Sequence, residues 1–321
     1  MTTKDYFPNV IGQESAKAKL GFRLDNYKAS GILPNLLFIA PKGCGKTMLA
    51  EEMAKNLKGS DGKIKPFLSM NCGGFRNVKQ FIGEFYVPRV VNREVTVLFD
   101  ECHALKNDIS TQMLSMFESG RTVNNVLYED YNIEVDFSRQ SFMFATTEAH
   151  KIFHALKDRC TRIDLQPYEP NELSAILQLK MKEYSFGDGV LDSIGSILRD
   201  NPREATNMAK DLVSFMMRSN EKNVTKEAWD DFQTGLRINP MGLFDNEVKI
   251  LKALSQQSDL SLTNVSAKVG MSPQAIRQDY EMYLQKQGLM IIKPSGRSIT
   301  RYGREVLEYV EWWKGQLPKA K

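Results

Sequence analysis

The residues best suited to chemistry lie near the N-terminus, in the segment APKGCGKT at residues 40–47. Gly43 and Gly45 allow backbone N–H groups to converge on phosphate oxygens at the start of a helix. Lys46 places a positive charge near the outer phosphates, and Thr47 places a hydroxyl on Mg²⁺. A strand before the segment and a helix after it give the context of a phosphate-binding loop. The spacing therefore predicts a site for ATP with Mg²⁺.

A pair of carboxylates follows, where Asp100 and Glu101 end the apolar run VLFDE. The run predicts a buried strand, and open α/β sheets bind ligands at the carboxyl ends of their strands. Asp100 can hold the metal through water, while Glu101 can orient or deprotonate the attacking water. The same pair also occurs as a plain surface turn. Together with the phosphate loop, it predicts an ATP hydrolase rather than a passive nucleotide binder.

Four further residues suit phosphoryl transfer, and each has an ordinary alternative. SFMFATT ends in Thr146 and Thr147, either of which can contact the γ-phosphate or the attacking water, although threonines at strand ends are often structural. Arg159, in LKDRC, is a candidate arginine finger that stabilises charge on the phosphoryl group. Its alternative is a surface salt bridge with Asp158. Arg203, in NPREATN, can point at the nucleotide or be a solvated residue of a first helical turn.

The elements that must position these residues alternate along residues 1–168. A helix is predicted at residues 14–29, and helices separate five predicted strands within LPNLLFIA, PFLSMNC, VTVLFDE, SFMFATT and TRIDLQPY. NVKQFIGEF is predicted to be one of those helices. This order indicates an α/β domain with a mostly parallel sheet covered on both faces. The segment TVNNVLYEDYNIEVDF interrupts it and predicts a projecting β-hairpin at about residues 121–137.

After residue 168 we expect strands to stop. Four successive amphipathic segments predict a small helical lid domain at residues 169–240, and RINPMG resembles a linker. In residues 241–321, Ser272 as N-cap and Pro273 at the first helical position open a long helix. A hairpin formed by LMIIK, PSG and RSIT follows. Two helices, a longer helix and a hairpin predict a winged-helix domain.

Composition excludes several other classes of protein. The 321 residues are 42% hydrophobic and 26% charged, which is ordinary for a globular protein. The four cysteines lie far apart and form no C-x-x-C pair, which argues against a zinc ribbon or a disulfide framework. The N-terminal segment MTTKDYFPNV is polar, and no apolar run approaches the ~20 residues of a membrane helix. We therefore expect a cytoplasmic protein with no membrane partner.

The best signal for nucleic acid lies in the predicted wing. The net charge is only +4, so a DNA-binding surface must come from local clustering. Five basic residues and no acidic one occur between positions 286 and 304, namely Lys286, Lys293, Arg297, Arg301 and Arg304. A tight turn between Lys293 and Arg297 can enter a groove and contact phosphates. We predict DNA contacts from Lys293, Arg297 and Arg301; the alternative is a winged helix that binds protein.

Taken together, these motifs resemble the AAA+ ATPases, and more closely the RuvB family of Holliday-junction branch-migration motors. NVIGQESAKAKL is similar to the family's opening FIGQ segment, which lies against the adenine. ATT resembles its sensor 1, LKDRC its LRDRF finger segment, and NPREATN its TPR sensor 2. MYLQKQGLMIIKPSGRSIT is similar to its wing, PYLIQQGFLQRTPRGR. The wing is the most specific match, because AAA+ motifs alone would not separate the chain from clamp loaders.

The resemblance implies an ATP-driven motor for branch migration in recombination and repair, acting as a hexameric ring around duplex DNA. It implies ATP between subunits, with Arg159 reaching into a neighbour's site and Arg203 sensing the nucleotide. The implied catalytic residues are Glu101, Arg159, Thr147 and Arg203. The implied Mg²⁺ ligands are Thr47 and Asp100. The implied nucleotide contacts are Ile11, Pro41, Gly43, Cys44, Gly45, Lys46, Thr47, Met48 and Tyr168.

Some positions depart from the family's pattern. Cys160 stands where the family has Phe, and Ser295 stands where its wing carries an extra Arg, which predicts a weaker grip on DNA there. The hairpin at 121–137 lies where the family docks on RuvA, but it is shorter and lacks the Gly-Pro tip. The resemblance implies a RuvA-like junction-binding partner, which need not be the usual RuvA. The alternatives are an AAA+ loader that places another protein on DNA, and an ATP-switched winged-helix regulator.

Overall fold

Parallel strands form the centre of the N-terminal half of the protein. The computed structural model describes residues 6–116, 123–128, 131–136, 139–199 and 201–317. Its strands up to residue 164 are β1 (Leu36–Ile39), β2 (Phe67–Asn71), β3 (Thr96–Asp100), β4 (Val123–Tyr128), β5 (Tyr131–Asp136), β6 (Ser141–Thr146) and β7 (Thr161–Asp164). Within the described ranges, one parallel sheet is formed by strands in the order β2-β3-β6-β1-β7. The carboxyl ends of β3, β6 and β1 are therefore neighbours.

Alternate residues of these strands pack on opposite faces of the sheet. Phe99 and Phe144 belong to one buried cluster, whereas Leu98 and Met143 belong to another. A strand buried on both faces needs a nearly continuous apolar run, which is what VLF and FMFA supply. The predicted sheet and its burial on both faces are confirmed.

Helices cover both faces. Those of the first half are α1 (Glu14–Ser30), α2 (Lys46–Ala54), α3 (Val78–Gln80), α4 (Val87–Arg89), α5 (Asn107–Met116) and α6 (His154–Lys157). The prediction of α1 is confirmed, with Leu20 and Leu24 fully buried. NVKQFIGEF is helical but not regularly α-helical, because a π-helical segment at Phe81–Tyr86 joins α3 to α4. This segment buries three aromatic rings at once, Phe81, Phe85 and Tyr86.

Strands β4 and β5 pair antiparallel with Val123 opposite Asp136 and Tyr128 opposite Tyr131. They occupy most of the segment predicted as a hairpin. Residues 121, 122, 129, 130 and 137 of that prediction lie outside the described residues.

The chain divides into two compact units, Met1–Glu172 with Asp200–Arg203, and Leu173–Arg199 with Glu204–Lys321. Helices of the segment predicted as a lid are α7 (Pro170–Lys180), α8 (Val190–Ile197), α9 (Pro202–Met216) and α10 (Lys226–Leu236). The expectation that strands stop at residue 168 is wrong in one detail. Two-residue strands β8 (Ser185–Phe186) and β9 (Asn223–Val224) pair parallel, because these short connections lie side by side.

The C-terminal part of the second unit has the predicted order of elements. Helices α11 (Asp245–Gln256) and α12 (Leu262–Val269) precede a longer helical stretch. That stretch consists of α13 (Pro273–Ala275), a π-helical segment at Ile276–Glu281 and α14 (Met282–Lys286). Ser272 accepts a hydrogen bond from the Ala275 N–H, which confirms the N-cap. Strands β10 (Met290–Lys293) and β11 (Gly296–Ile299) then form the wing.

A further helix, α15 (Arg301–Gln316), follows the wing and is missing from the sequence-based prediction. Its buried apolar side chains Val306, Leu307 and Val310 belong to the same core as Leu251 and Leu254 of α11. Gly303 allows the helix to approach the wing, because a β-carbon there would collide with the Leu289 carbonyl oxygen. Across the portion of the chain that the structure describes, no helix is both long and apolar enough to cross a membrane.

Candidate functional site

The phosphate loop connects β1 to α2 and has the backbone that its glycines make possible. Gly43 and Gly45 have φ of 86° and 84°, a region that favours glycine. A β-carbon on Gly43 would collide with the side-chain amide of Asn201. The Asn201 oxygen also accepts a hydrogen bond from the Arg203 N–H at 3.0 Å. Residues 201–203, which belong to the same compact unit as the loop, are thus held next to it.

Lys46 is folded across this loop. Its ammonium donates to the Ala40 and Pro41 carbonyl oxygens at 2.9 and 3.0 Å, and the residue is 6% exposed. Burial lowers the pKa of Lys46, and the carboxylates of Glu101 and Asp100 oppose that shift. Both partners are neutral carbonyl groups, so a phosphate can replace them without breaking an ion pair.

Thr47 and Asp100 come together as the sequence predicts. The Thr47 hydroxyl donates to Asp100 Oδ2 at 3.2 Å, and Asp100 Oδ1 accepts from the Glu101 N–H at 3.0 Å. Two oxygen donors are too few to cage a metal, and the described residues contain no group of three or more His, Cys, Asp or Glu side chains placed to hold one. Mg²⁺ fits such a site when phosphate oxygens and water complete its coordination.

Glu101 lies directly beyond the end of β3, with a left-handed φ of 50°. That turn separates its carboxylate from the Asp100 carboxylate. The Thr147 hydroxyl donates to Glu101 Oε2 at 3.3 Å. Of the two threonines left open by the sequence, Thr147 is therefore the one beside Glu101, whereas Thr146 is buried and binds His103 and the Glu148 N–H.

The two predicted arginines differ in their surroundings. Arg159 donates to the Ala155 carbonyl oxygen at 2.9 Å, while Asp158 pairs with His154 at 2.8 Å. The alternative pairing of Arg159 with Asp158 is therefore not the arrangement observed. Arg203 is exposed at the start of α9 and lies near enough to Lys46 to lower its pKa.

The opening segment closes against the end of β7 on the other side of the loop. Gln13 donates to the Gln166 carbonyl oxygen at 2.7 Å and accepts from the Gln166 N–H at 2.9 Å. Tyr168 is buried, which raises its pKa to about 12, and its hydroxyl lies 3.5 Å from where a β-carbon on Gly45 would be. Met48 approaches the same point at 3.9 Å. Ile11 is half-buried in the same opening segment.

Three cysteines beside these motifs are packing residues. Cys44 and Cys102 are buried. Burial raises the pKa of Cys102 well above its usual range and that of Cys160 to about 12, so these two thiols are neutral at physiological pH.

The basic residues of the wing and of the start of α15 have two different environments. Arg301 is 95% exposed and Lys293 about half exposed, near Asp259 at 3.7 Å. Arg297 is 14% exposed, and its guanidinium contacts both carboxylate oxygens of buried Glu281 at 2.7 and 3.3 Å. The prediction of Arg297 as a DNA contact is not supported, because its side chain braces the wing against the helical stretch that precedes it.

Two family models match the chain. The model of the ATPase family associated with various cellular activities (AAA) matches residues 36–168. The model of the RuvB C-terminal winged helix domain matches residues 240–308. The first range contains the phosphate loop and both carboxylates, and the second contains the wing.

Relatives of known type are similar along nearly the whole chain. The Holliday junction branch migration complex subunit RuvB of Pseudothermotoga lettingae is 26% identical over 328 residues, covering 98% of this chain and 91% of its own length. That of Campylobacter fetus is 27% identical over 308 residues, covering 92% and 85%. In its ATPase and winged-helix regions the chain is therefore similar to the RuvB family.

A solved structure has the same fold. The Thermotoga maritima RuvB Holliday junction branch migration motor superposes with a TM-score of 0.72 at 22% identity, over 95% of this chain and 99% of that one. The AAA and winged-helix architecture of the RuvB family therefore extends along the chain.

The sequence alone did not reveal every residue at the candidate site. Asn201 and Gln13 lie within quoted motifs, yet their partners are far away in sequence. His103 follows the carboxylate pair and contacts Glu101, Thr146 and Glu148. Its position two residues after Glu101 was the available signal for that contact.

Proposed function

We propose that the protein is an ATP-driven motor that moves Holliday junctions, as the names of its relatives describe for them. The observation that supports this proposal is that one chain joins a segment matching the RuvB winged helix to a phosphate loop with Thr47 beside Asp100 and Thr147 beside Glu101. An ATP hydrolase without the wing would have no specific tie to DNA. A winged helix without the carboxylate pair would have no source of energy.

The cofactors that fit the site are ATP and Mg²⁺. Lys46 would exchange its carbonyl partners for phosphate oxygens, and Thr47 and Asp100 would hold Mg²⁺. When bound, the metal neutralises charge on the phosphates. Glu101 would orient the attacking water and take its proton, with Thr147 steadying the Glu101 carboxylate. The nucleotide contacts would come from Ile11, Pro41, Gly43, Cys44, Gly45, Lys46, Thr47, Met48 and Tyr168.

A single subunit would supply only part of this site. Arg159, which has no carboxylate partner among its observed hydrogen bonds, would reach the phosphates bound to a neighbouring subunit in a hexameric ring. Arg203 would sense the nucleotide from the start of α9. We assign the ATPase domain to residues 1–168, the helical domain to 169–240 and the winged helix to 241–321.

Lys293 and Arg301 would contact the backbone of duplex DNA inside the ring. A RuvA-like junction-binding protein is the proposed partner, with the hairpin near residues 121–137 as its docking element. The work of such a motor, in recombination and repair, belongs to the cytoplasm.

Branch migration on synthetic four-way DNA tests this function. With ATP and Mg²⁺ the protein should convert a junction into two duplexes, alone or with a RuvA-like protein. Its ATP hydrolysis should be faster with junction or linear duplex than without DNA. Hydrolysis that DNA stimulates but that never moves a junction, with or without the partner, would contradict the proposal and favour a loader.

A further inference from the structure

His103 lies at the centre of a group of polar contacts beside the predicted catalytic carboxylate. It belongs to the short turn Cys102–Ala104 after β3, and its side chain is 17% exposed. Its Nδ1 atom lies 3.0 Å from Thr146 Oγ1 and 3.3 Å from Glu101 Oε2. Its Nε2 atom lies 3.2 Å from Glu148 Oε2. Both ring nitrogens are therefore engaged, on opposite sides of the ring.

These contacts join two neighbouring strands at their carboxyl ends. β3 delivers Glu101 and His103, and β6 delivers Thr146 and the residues after it. The Thr146 hydroxyl oxygen accepts from the Glu148 N–H at 2.9 Å and keeps a second lone pair, so a proton on Nδ1 can be shared between Thr146 Oγ1 and Glu101 Oε2. The imidazole thus links the Glu101 carboxylate to the backbone turn that ends β6.

The Glu148 side of the ring is firmly held. Glu148 Oε1 lies 2.7 Å from the Lys151 ammonium, and that hydrogen bond lowers the pKa of Glu148. An ionised Glu148 accepts from Nε2–H, and the link to Glu101 is complete when Nδ1 also carries a proton to donate. The ring plane is therefore fixed from the Glu148 side, independently of what Nδ1 does.

Glu101 Oε2 is contacted from two directions, by the His103 ring and by the Thr147 hydroxyl at 3.3 Å. Removing the ring would leave the hydroxyl as the side-chain contact the structure records for Glu101. A long glutamate side chain would then sample several rotamers.

We propose that His103 is a positioning residue, which holds the Glu101 carboxylate in place by tying it to the Thr146–Glu148 segment. This rests on the proposed function of Glu101 in hydrolysis. β6 pairs with β1, the strand that precedes the phosphate loop. A shift of the segment after β6 would then move the Glu101 carboxylate with it.

The kinetic test compares His103→Ala, His103→Gln and Glu148→Gln, with His154→Ala as the histidine control, in ATP hydrolysis without DNA. His103→Ala should lower kcat by about 10- to 100-fold, because misplacing a reacting group is that costly. KM for ATP, ATP affinity and Tm should stay unchanged. His103→Gln should recover part of kcat, because its amide can donate to Glu148. His154→Ala should match the wild type.

A double variant asks whether the two residues act together. His103→Ala with Glu148→Gln should be no slower than His103→Ala alone, because both remove the same link. An unchanged kcat in His103→Ala, or losses that simply multiply, would overturn the proposal. If the wild type hydrolyses ATP but does not move junctions, only the proposed motor function is contradicted. If the wild type hydrolyses no ATP, the proposed role of Glu101 and this inference are both contradicted.

A second measurement needs no turnover. The chain has three histidines, so the imidazole ¹⁵N resonances of the nucleotide-free protein can be assigned by single substitutions. Glu148→Gln should shift the resonances that His103→Ala deletes, whereas Asp158→Asn should shift those of His154, its partner. Insensitivity of the His103 resonances to Glu148→Gln and to Glu101→Gln would overturn the proposed link.

Discussion

At the candidate ATP site Lys46 and Asp100 contact neutral groups, whereas in the C-terminal unit Arg199 and Glu247 are charged side chains paired with one another. Lys46 donates to two backbone carbonyl oxygens, and Asp100 and Glu101 accept from hydroxyl and N–H groups. In the C-terminal unit, Arg199 contacts both carboxylate oxygens of Glu247 at 2.7 and 2.6 Å. Charged side chains are thus held in two different ways in the two regions.

The Arg199–Glu247 ion pair is almost completely removed from solvent. Glu247 has no exposed side-chain surface and also accepts from the Phe244 N–H at 2.8 Å. The Arg199 guanidinium lies 3.5 Å from the centre of the Phe244 ring and 4.2 Å from that of Tyr283. It also donates to the Gly242 carbonyl oxygen at 2.6 Å. This cluster fastens the segment after α8 to the start of the winged helix.

The difference separates charges that must meet a ligand from charges that hold the fold. A bidentate buried ion pair is strong only while both partners remain, and removing one leaves an uncompensated charge. Such a pair cannot be opened in every catalytic cycle. Hydrogen bonds between a charged group and single neutral partners are exchanged for phosphate contacts at much lower cost.

The largest expected effect is on turnover at the weakly paired site. Glu101→Gln keeps the size of the side chain and its contact with Thr147, but cannot take a proton from water. Hydrolysis should fall by about 10²- to 10⁴-fold while ATP binding and ring assembly persist. The measurements are steady-state hydrolysis, nucleotide affinity and sedimentation. Glu51→Gln, an exposed position on α2, is the matched control; an unchanged rate in Glu101→Gln would remove Glu101 from its role.

The next effect is on stability at the fully paired site. Arg199→Met should lower the free energy of unfolding by about 3–5 kcal/mol, because it strands the buried Glu247 carboxylate. Adding Glu247→Gln should restore part of that loss, since the remaining polar group carries no charge. Urea unfolding measures both. The control is Lys222→Met, which breaks an exposed pair with Glu183 and should leave unfolding unchanged. A similar midpoint for Arg199→Met and Lys222→Met would contradict the contrast.

The sheet and the phosphate loop can be predicted because their signals are local. A buried strand between covered faces requires a continuous apolar run, and a loop that curls around phosphate requires glycines at fixed spacing. The contacts of Asn201 with Gly43 and of Gln13 with Gln166 join distant positions, so no local pattern announces them. They follow from how the fold closes.

At two residues of the winged helix the sequence pattern differs from the observed structure for physical reasons. Gly303 in the first turn of α15 disfavours a helix by propensity, but tertiary packing against Leu289 requires a glycine there. Arg297 looks like a wing-tip cation because it follows the turn. Its backbone pairs with Leu260 as well as with Ile292, so its side chain faces the protein and meets Glu281.

The smallest expected effect distinguishes Arg297, in the wing, from Arg301, at the start of α15. Arg301→Gln should weaken DNA binding severalfold at all sequences and lower the slope of log affinity against log salt by about 1, because one phosphate contact is lost. Its melting temperature should not change, since the side chain is exposed. Arg297→Gln, the matched control four residues earlier, should instead lower the melting temperature by leaving Glu281 unpaired. Calorimetry measures the melting temperatures, and a salt titration of duplex binding measures the slopes. The assigned roles would be contradicted if Arg301→Gln left the salt slope unchanged while Arg297→Gln lowered the slope without loss of stability.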